Sequence, residues 1–180
     1  MNALLIIDYQ RAVLLGQPAH RVREVAAVLA ASAVQARELG WRVIFVRHEA
    51  LGTNWDRSSP GWLFPDEIGP LPGDEIVDKK SCDAFRETHL QGLLDQRQIR
   101  RLWIGGYATE FCVDTTIRSA ASREFQTTVL SDGHTTRDRP DIDAPTIIRH
   151  HNWVWSNIAN PGNPIRVLPS ENAFSDAPPS

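Results

Sequence analysis

Ala3-Leu4-Leu5-Ile6-Ile7-Asp8 is a run of apolar side chains, two of them β-branched, that stops at a carboxylate. A strand with one wet face alternates apolar and polar residues. A strand that is apolar at every position must be covered on both faces, the pattern of a central strand in a parallel sheet. Working outward, similar runs stand at Trp41-Arg42-Val43-Ile44-Phe45-Val46, Glu75-Ile76-Val77, Arg101-Leu102-Trp103-Ile104 and Thr127-Thr128-Val129-Leu130, with a weaker one at Ile165-Arg166-Val167-Leu168. Helical patterns lie between them. Val22, Val25, Ala26, Leu29 and Val34 mark one face of a helix ended by Gly40, and Leu90, Leu93 and Leu94 mark a second. Residues Cys112 to Arg123 form a third, and Pro145 to Asn157 a fourth with proline in its first turn. The alternation predicts a single-domain three-layer α/β/α architecture around a mostly parallel six-stranded sheet, because right-handed crossovers keep successive strands parallel. The domain is expected over residues 1–168. Residues 169–180, polar and ending near Pro178-Pro179, are expected to form a flexible tail that frays or reaches a neighbouring subunit.

A chain of 180 residues holds about one domain and buries a core without staples. Its net charge of −3 provides no basic field for nucleic acid or an anionic membrane. No segment approaches the roughly 20 apolar residues of a membrane span, and the apolar start lacks the basic flank of a signal peptide. Cys82 and Cys112 are too few for a disulfide framework, so free thiols and a cytoplasmic location are expected. The stretch from His48 to Pro72 is rich in glycine and proline and has little periodicity. A loop of that length in a compact domain is usually functional or disordered.

Ligands of open parallel sheets bind beyond the carboxyl ends of the strands. Asp8 follows the first strand, Lys79 the third, and Cys112 the fourth after a Gly105-Gly106 turn, so all three are expected at one edge. A thiol at the start of a helix gains from the macrodipole, which lowers its pKa, and a lysine beside it favours the thiolate further. Each residue also has a plainer reading. Asp8 can cap a helix, Cys112 can be a small buried hydrophobe, and Lys79-Lys80 can be solvated surface.

Leu5-Ile6-Ile7-Asp8-Tyr9-Gln10, Val77-Asp78-Lys79-Lys80-Ser81-Cys82-Asp83-Ala84-Phe85 with Thr88 and Leu90, and Gly105-Gly106-Tyr107-Ala108-Thr109-Glu110-Phe111-Cys112-Val113 resemble the three ordered motifs of the isochorismatase-like cysteine hydrolases. That superfamily includes nicotinamidases, carbamoylsarcosine amidases and isochorismatases, and the likeness runs from Asn2 to about His134. Val46-Arg47-His48 is also similar to the family's second strand end. The resemblance implies a catalytic triad of Asp8, Lys79 and Cys112. Lys79 is chosen over Lys80 because the family lysine stands six positions before the phenylalanine of its Ala-Phe pair, here Phe85. It also implies a cis peptide before Ala108 and an oxyanion hole made by the backbone N–H groups of Ala108 and Cys112. The implied reaction is acyl transfer from a small amide through Cys112. The rival readings are vinyl-ether hydrolysis driven by the aspartate, and a noncatalytic binding or redox-responsive subunit. A homo-oligomer, dimer or tetramer, is implied as well.

Nicotinamidases often carry an Asp-x-His metal site after the second strand. His48-Glu49-Ala50-Leu51-Gly52-Thr53-Asn54-Trp55-Asp56 lacks that pair, and the other histidines have no ligand-like spacing to it, so no catalytic metal is expected. Gly105-Gly106 has neither G-x-G-x-x-G nor a Walker lysine, and no cofactor is expected. The partner is then a small-molecule substrate. Trp55, Trp62, Phe85, Tyr107 and Phe111 are candidates for its pocket, with core or interface packing as their alternative. Gln10, Trp62, Phe85 and Tyr107 are the expected substrate-binding residues, Trp62 foremost because it lies in the long loop.

Overall fold

All six side chains of β1 (Asn2–Ile7) are buried in the computed structural model, which describes residues 1–175. Ala3, Leu5 and Ile7 enter one core, and Leu4 and Ile6 enter another on the opposite face. The two-residue period of the strand thus feeds two apolar layers from one uninterrupted run. Against β1 lie β2 (Arg42–His48) and β4 (Arg101–Tyr107), with β3 (Glu75–Lys79), β5 (Gln126–Thr135) and β6 (Arg166–Leu168) completing the order β3-β2-β1-β4-β5-β6. Every neighbouring pair is parallel.

One core takes Leu90 and Leu94 of α2 (Leu90–Gln96), Ile117 and Ala120 of α3 (Asp114–Ser122) and Trp155 of α4 (Ala144–Asn157). The other takes Val25, Leu29, Ala33 and Ala36 of α1 (Val22–Glu38). Val34, grouped with that face from sequence, points outward and is exposed. Gly40 closes α1 in the left-handed conformation (φ +73°): its N–H donates to Arg37 O at 3.0 Å, while the Trp41 N–H donates to Ala36 O at 2.9 Å. These two bonds make a Schellman motif, which a glycine adopts without a Cβ clash. At the other end of the chain, α4 starts on Asp143, whose carboxylate accepts from the Thr146 N–H at 2.8 Å, with Pro145 in the first turn.

Two sequence expectations are corrected. Gly105 and Gly106 are strand residues, not a turn, paired with Ile6 and Ile7 of β1. Gly106 has φ +133°, and a Cβ there would run into the Ile7 backbone, so the glycines let the central strands meet closely. The tail is also in part ordered. Ser170–Ala173 forms α5, Phe174 stacks on Trp41 at 5.3 Å, and the Trp103 indole donates to Ala173 O at 2.7 Å. An amphipathic turn with a buried aromatic docks here because Trp41, just before β2, and Trp103 of β4 present an aromatic face on the α1 side of the sheet. The rest of the expected tail, 176–180, lies outside the described residues.

Gly106→Ala is expected to lower the unfolding free energy by about 3 kcal/mol or more, since it combines overpacking with a positive φ. Urea denaturation followed by circular dichroism measures this. Wild-type stability in the variant would contradict the close approach of β4 to β1.

Candidate active site

The chain runs from β1 out to β2 and β3, then returns to β4 on the other side of β1, so the sheet's topological switch point lies between β1 and β4. Asp8 follows β1 directly in the left-handed region (φ +48°), which an aspartate tolerates better than most residues, and its N–H donates to Val46 O at 2.9 Å. In β3 the alternation of side chains turns Val77 and Lys79 inward, while Lys80 is exposed. The register sets His48 of β2 beside Lys79. After β4 the Tyr107–Ala108 peptide is cis, and a π-helical turn, Thr109–Val113, carries Cys112 into α3. Within the turn the Ala108 carbonyl accepts from the N–H groups of Phe111 (3.0 Å) and Val113 (3.2 Å). Such turns recur at functional sites because they redirect a side chain without ending the helix.

These ends converge on one ammonium group. Lys79 Nζ lies 2.6 Å from Asp8 Oδ2, 2.8 Å from Ser81 O, 3.2 Å from Cys112 Sγ and 3.3 Å from His48 Nδ1. Asp8 and Lys79 are 1% and 2% exposed, so neither charge is screened by water and each depends on the other. Burial works against the lysine charge, but Asp8 and then Cys112 outweigh it and leave the Lys79 pKa raised. The Cys112 thiol moves the opposite way from the sequence expectation. Burial and the negative charge of Asp8 push its pKa up, and the Lys79 cation offsets only part of that. The resting site is therefore an Asp8–Lys79 ion pair with a neutral thiol beside it. Asp8 Oδ1 is buried without a hydrogen-bond partner among the described residues.

His48 is lowered by burial and then by the Lys79 charge, and it stays neutral at physiological pH. The three N–H groups of the ammonium face four neighbours, Asp8, the Ser81 carbonyl, the Cys112 sulfur and His48 Nδ1, so His48 competes for the last of them. Sequence reasoning placed His48 at a strand end without giving it a role. The clue is its position at the same sheet edge as Asp8 and Lys79. Asp8, His48 and Cys112 also bring one ligand atom each within 4.8 Å of one another, a trio that resembles an open zinc site. The trio does not fit a metal ion, because the Lys79 ammonium already makes its contacts with all three groups.

A cleft of about 270 Å³ opens on Asp8, Cys112 and Ala108, with His48, Trp55, Tyr107, Phe111, Cys82 and Arg139 around it. A larger hollow of about 620 Å³ beside α1 is lined by Leu14, Pro18, Val22 and alanines, and offers no paired acid, amine and thiol. Trp55 and Tyr107 stack at 5.7 Å with an interplanar angle of 17°, forming one wall. Phe111, half exposed, carries the Arg139 guanidinium 5.2 Å above its ring. Arg139 is neutralised by Glu110 at 2.6 Å, so the rim adds little net charge.

Of the expected substrate-binding residues, only Tyr107 lines this cleft. Trp62 is buried beneath two guanidiniums, with Arg47 at 4.2 Å and Arg57 at 5.0 Å from its ring. The loop that carries it is tied by Asp56, which accepts from Gly52 N, Ser58 N and Ser58 Oγ. The Ser58 and Gly52 N–H groups hold the Asp56 pKa down to about 2. That fold turns Trp55 rather than Trp62 toward the cleft. Phe85 stacks on Phe125 in the core at 5.8 Å. Gln10 is a fully buried brace: its Oε1 accepts from His48 N at 2.7 Å, and its Nε2 donates to the carbonyls of His48 and Trp62 at 3.2 and 3.0 Å. Arg139 follows β5 in a segment without periodicity, and no local pattern singled it out.

Residues 2–157 match the model of the isochorismatase domain. Streptothricin hydrolase of Streptomyces noursei is 32% identical over 144 residues, covering 78% of this chain and 51% of that protein, so the chain spans about half the length of this relative. Ureidoacrylate amidohydrolase RutB of Stutzerimonas stutzeri is 29% identical, covering 73% of this chain and 68% of its own. Among solved structures, an isochorismatase from Pseudomonas putida KT2440 superposes with a TM-score of 0.86 at 28% identity, over 94% of this chain and 88% of that one. The N-carbamoylsarcosine amidase from Thermoplasma acidophilum shares the fold, with a TM-score of 0.77 at 20% identity over 94% of this chain and 96% of that one. With the matched domain spanning nearly the whole described sheet, the chain belongs to the isochorismatase family.

Proposed function

We propose that the chain is a cysteine hydrolase that cleaves an amide-type C–N bond of a small molecule through an acyl-thioester on Cys112. The observation that carries this reading is the Lys79 ammonium shared between Asp8 Oδ2 and Cys112 Sγ in a buried cleft. The hydrolase and amidohydrolase names of the similar relatives support the same bond class. The cleft volume and aromatic wall favour a compact planar substrate. Two free thiols and the family fold favour a reducing, cytoplasmic setting and a homo-oligomer as part of the same reading.

In the first half-reaction the Cys112 sulfur attacks the carbonyl carbon while its proton passes to Asp8, the adjacent base. The N–H groups of Ala108 and Cys112 receive the oxyanion. Asp8 then gives the proton to the departing nitrogen, the C–N bond breaks, and ammonia or an amine leaves. In the second half Asp8 takes a proton from water, hydroxide attacks the thioester, and the acid departs as Cys112 regains its proton. Lys79, within 2.6 Å of Asp8 Oδ2 and 3.2 Å of Cys112 Sγ, holds the two in register throughout.

The high resting pKa of the thiol gives a direct test. Alkylation of Cys112 by iodoacetamide, read by peptide mass spectrometry, should show a midpoint above the roughly 8.5 of a free thiol. Asp8→Asn removes the negative charge that raises the thiol while leaving the lysine, so its midpoint should fall and its alkylation at pH 7 should quicken, even as hydrolysis is lost. An unchanged or higher midpoint in Asp8→Asn contradicts this electrostatic assignment.

The reaction class is tested by screening small primary amides and ureido acids for amine release. Cys112→Ala should reduce turnover at least about a thousandfold, and intact-mass spectrometry of the wild type should reveal the acyl adduct. Activity that survives Cys112→Ala would move the chemistry to Asp8 and to vinyl-ether cleavage.

A further inference from the structure

The mechanism leaves His134 unused, although it is wholly buried at the active-site edge of the sheet. Between Ile104 and Gly106 the pairing of β4 with β5 slips: Ile104 faces Val129, but Gly106 faces His134. The additional β5 residues form a bulge, a device that re-aims side chains beside active sites. Here it brings the His134 ring against Thr109, the residue after Ala108.

The hydrogen bonds around that ring have a fixed direction. The Asn152 amide donates through Nδ2 to Ser131 O at 3.1 Å, so its Oδ1 is turned to His134 Nε2 at 2.9 Å. Nε2 therefore carries the proton and Nδ1 is an acceptor. Thr109 Oγ1, 2.8 Å from Nδ1, must donate. Burial pushes the histidine down to about 4, which keeps the ring neutral and preserves this polarity; His151 pushes the same way and Asp132 against it, and Trp155 packs edge-on at 5.1 Å. Thr109 is itself fully buried, so its hydroxyl has no water to turn to.

We propose that Asn152, His134 and Thr109 form a positioning relay that locks the Ala108–Thr109 segment so that its backbone N–H can receive the oxyanion. The Ala108 carbonyl is committed to the π turn through Phe111 and Val113, and the Thr109 side chain is committed to His134. Tyr107 is held on the other side, paired with Thr135 in the sheet and stacked on Trp55, so the Ala108 N–H lies between two fixed segments. These residues touch neither thiol nor carboxylate. They act through the backbone, and the inference rests on the acyl-transfer reading above.

The test compares two reactions of Cys112. Acylation by p-nitrophenyl acetate passes through a tetrahedral oxyanion, whereas alkylation by iodoacetamide does not. Thr109→Val, which keeps the volume and removes the donor, should slow acylation 10- to 100-fold, about what a misplaced oxyanion donor costs, with alkylation within twofold of wild type. Thr109→Ser should restore acylation to within about threefold. Asn152→Leu, which frees the histidine tautomer, should reproduce the selective loss and serves if Thr109→Val does not fold. Equal slowing of both reactions, or no slowing of acylation in either variant, overturns the relay while leaving the catalytic reading intact. A wild-type Cys112 that is alkylated but never acylated overturns both.

Discussion

A lysine ammonium that water cannot reach is an expensive thing to keep in a protein, since the effective cost of burying such an ion is several kcal/mol. Lys79 is kept because Asp8 stands 2.6 Å away and the Ser81 carbonyl takes a second proton. The pair couples the ends of β1 and β3, two strands that are not neighbours in the sheet, and the thiol after β4 completes the contact. Removing either partner strands a charge in the core. The geometry of the candidate site and the integrity of the sheet edge are thus held by the same electrostatic bond.

That bond also sets the charge state of the thiol beside it. With one positive and one negative charge already balanced, a second anion is unwelcome, and the thiol stays protonated at rest. In the proposed acyl transfer, sulfur gains nucleophilic character as Asp8 takes up its proton. On that proposal, reactivity is confined to the moment when a carbonyl is in place, and stray electrophiles meet a neutral thiol.

Much of this arrangement is readable from sequence because it is carried by short regular elements. The apolar run of β1, the Schellman glycine Gly40 and the spacing of Asp8, Lys79 and Cys112 each follow from a local pattern, and the parallel fold brings the three residues to one edge. The wall of the cleft is not readable in the same way. Whether Trp55 or Trp62 faces the cleft depends on where Arg47, Arg57 and Asp56 pull the loop, and those contacts are set by folding rather than periodicity. The thiol's electrostatics were misjudged for a related reason. A helix N-terminus and a lysine are visible in the chain, but the depth of burial and the distance to Asp8 are not.

The docking of Phe174 against Trp41 and Trp103 bears on how the chain is made. Trp103 finds its hydrogen-bond partner, Ala173, seventy residues later. β1 leaves the ribosome before the other five described strands, yet its second neighbour, β4, begins only at Arg101. During vectorial synthesis the central strand therefore waits with one edge open, and the tryptophan face stays bare until almost the whole described chain has been extruded. An open strand edge and a bare aromatic face are the exposures through which nascent chains pair with a neighbour, and both close only when β4 and the Ser170–Phe174 segment dock.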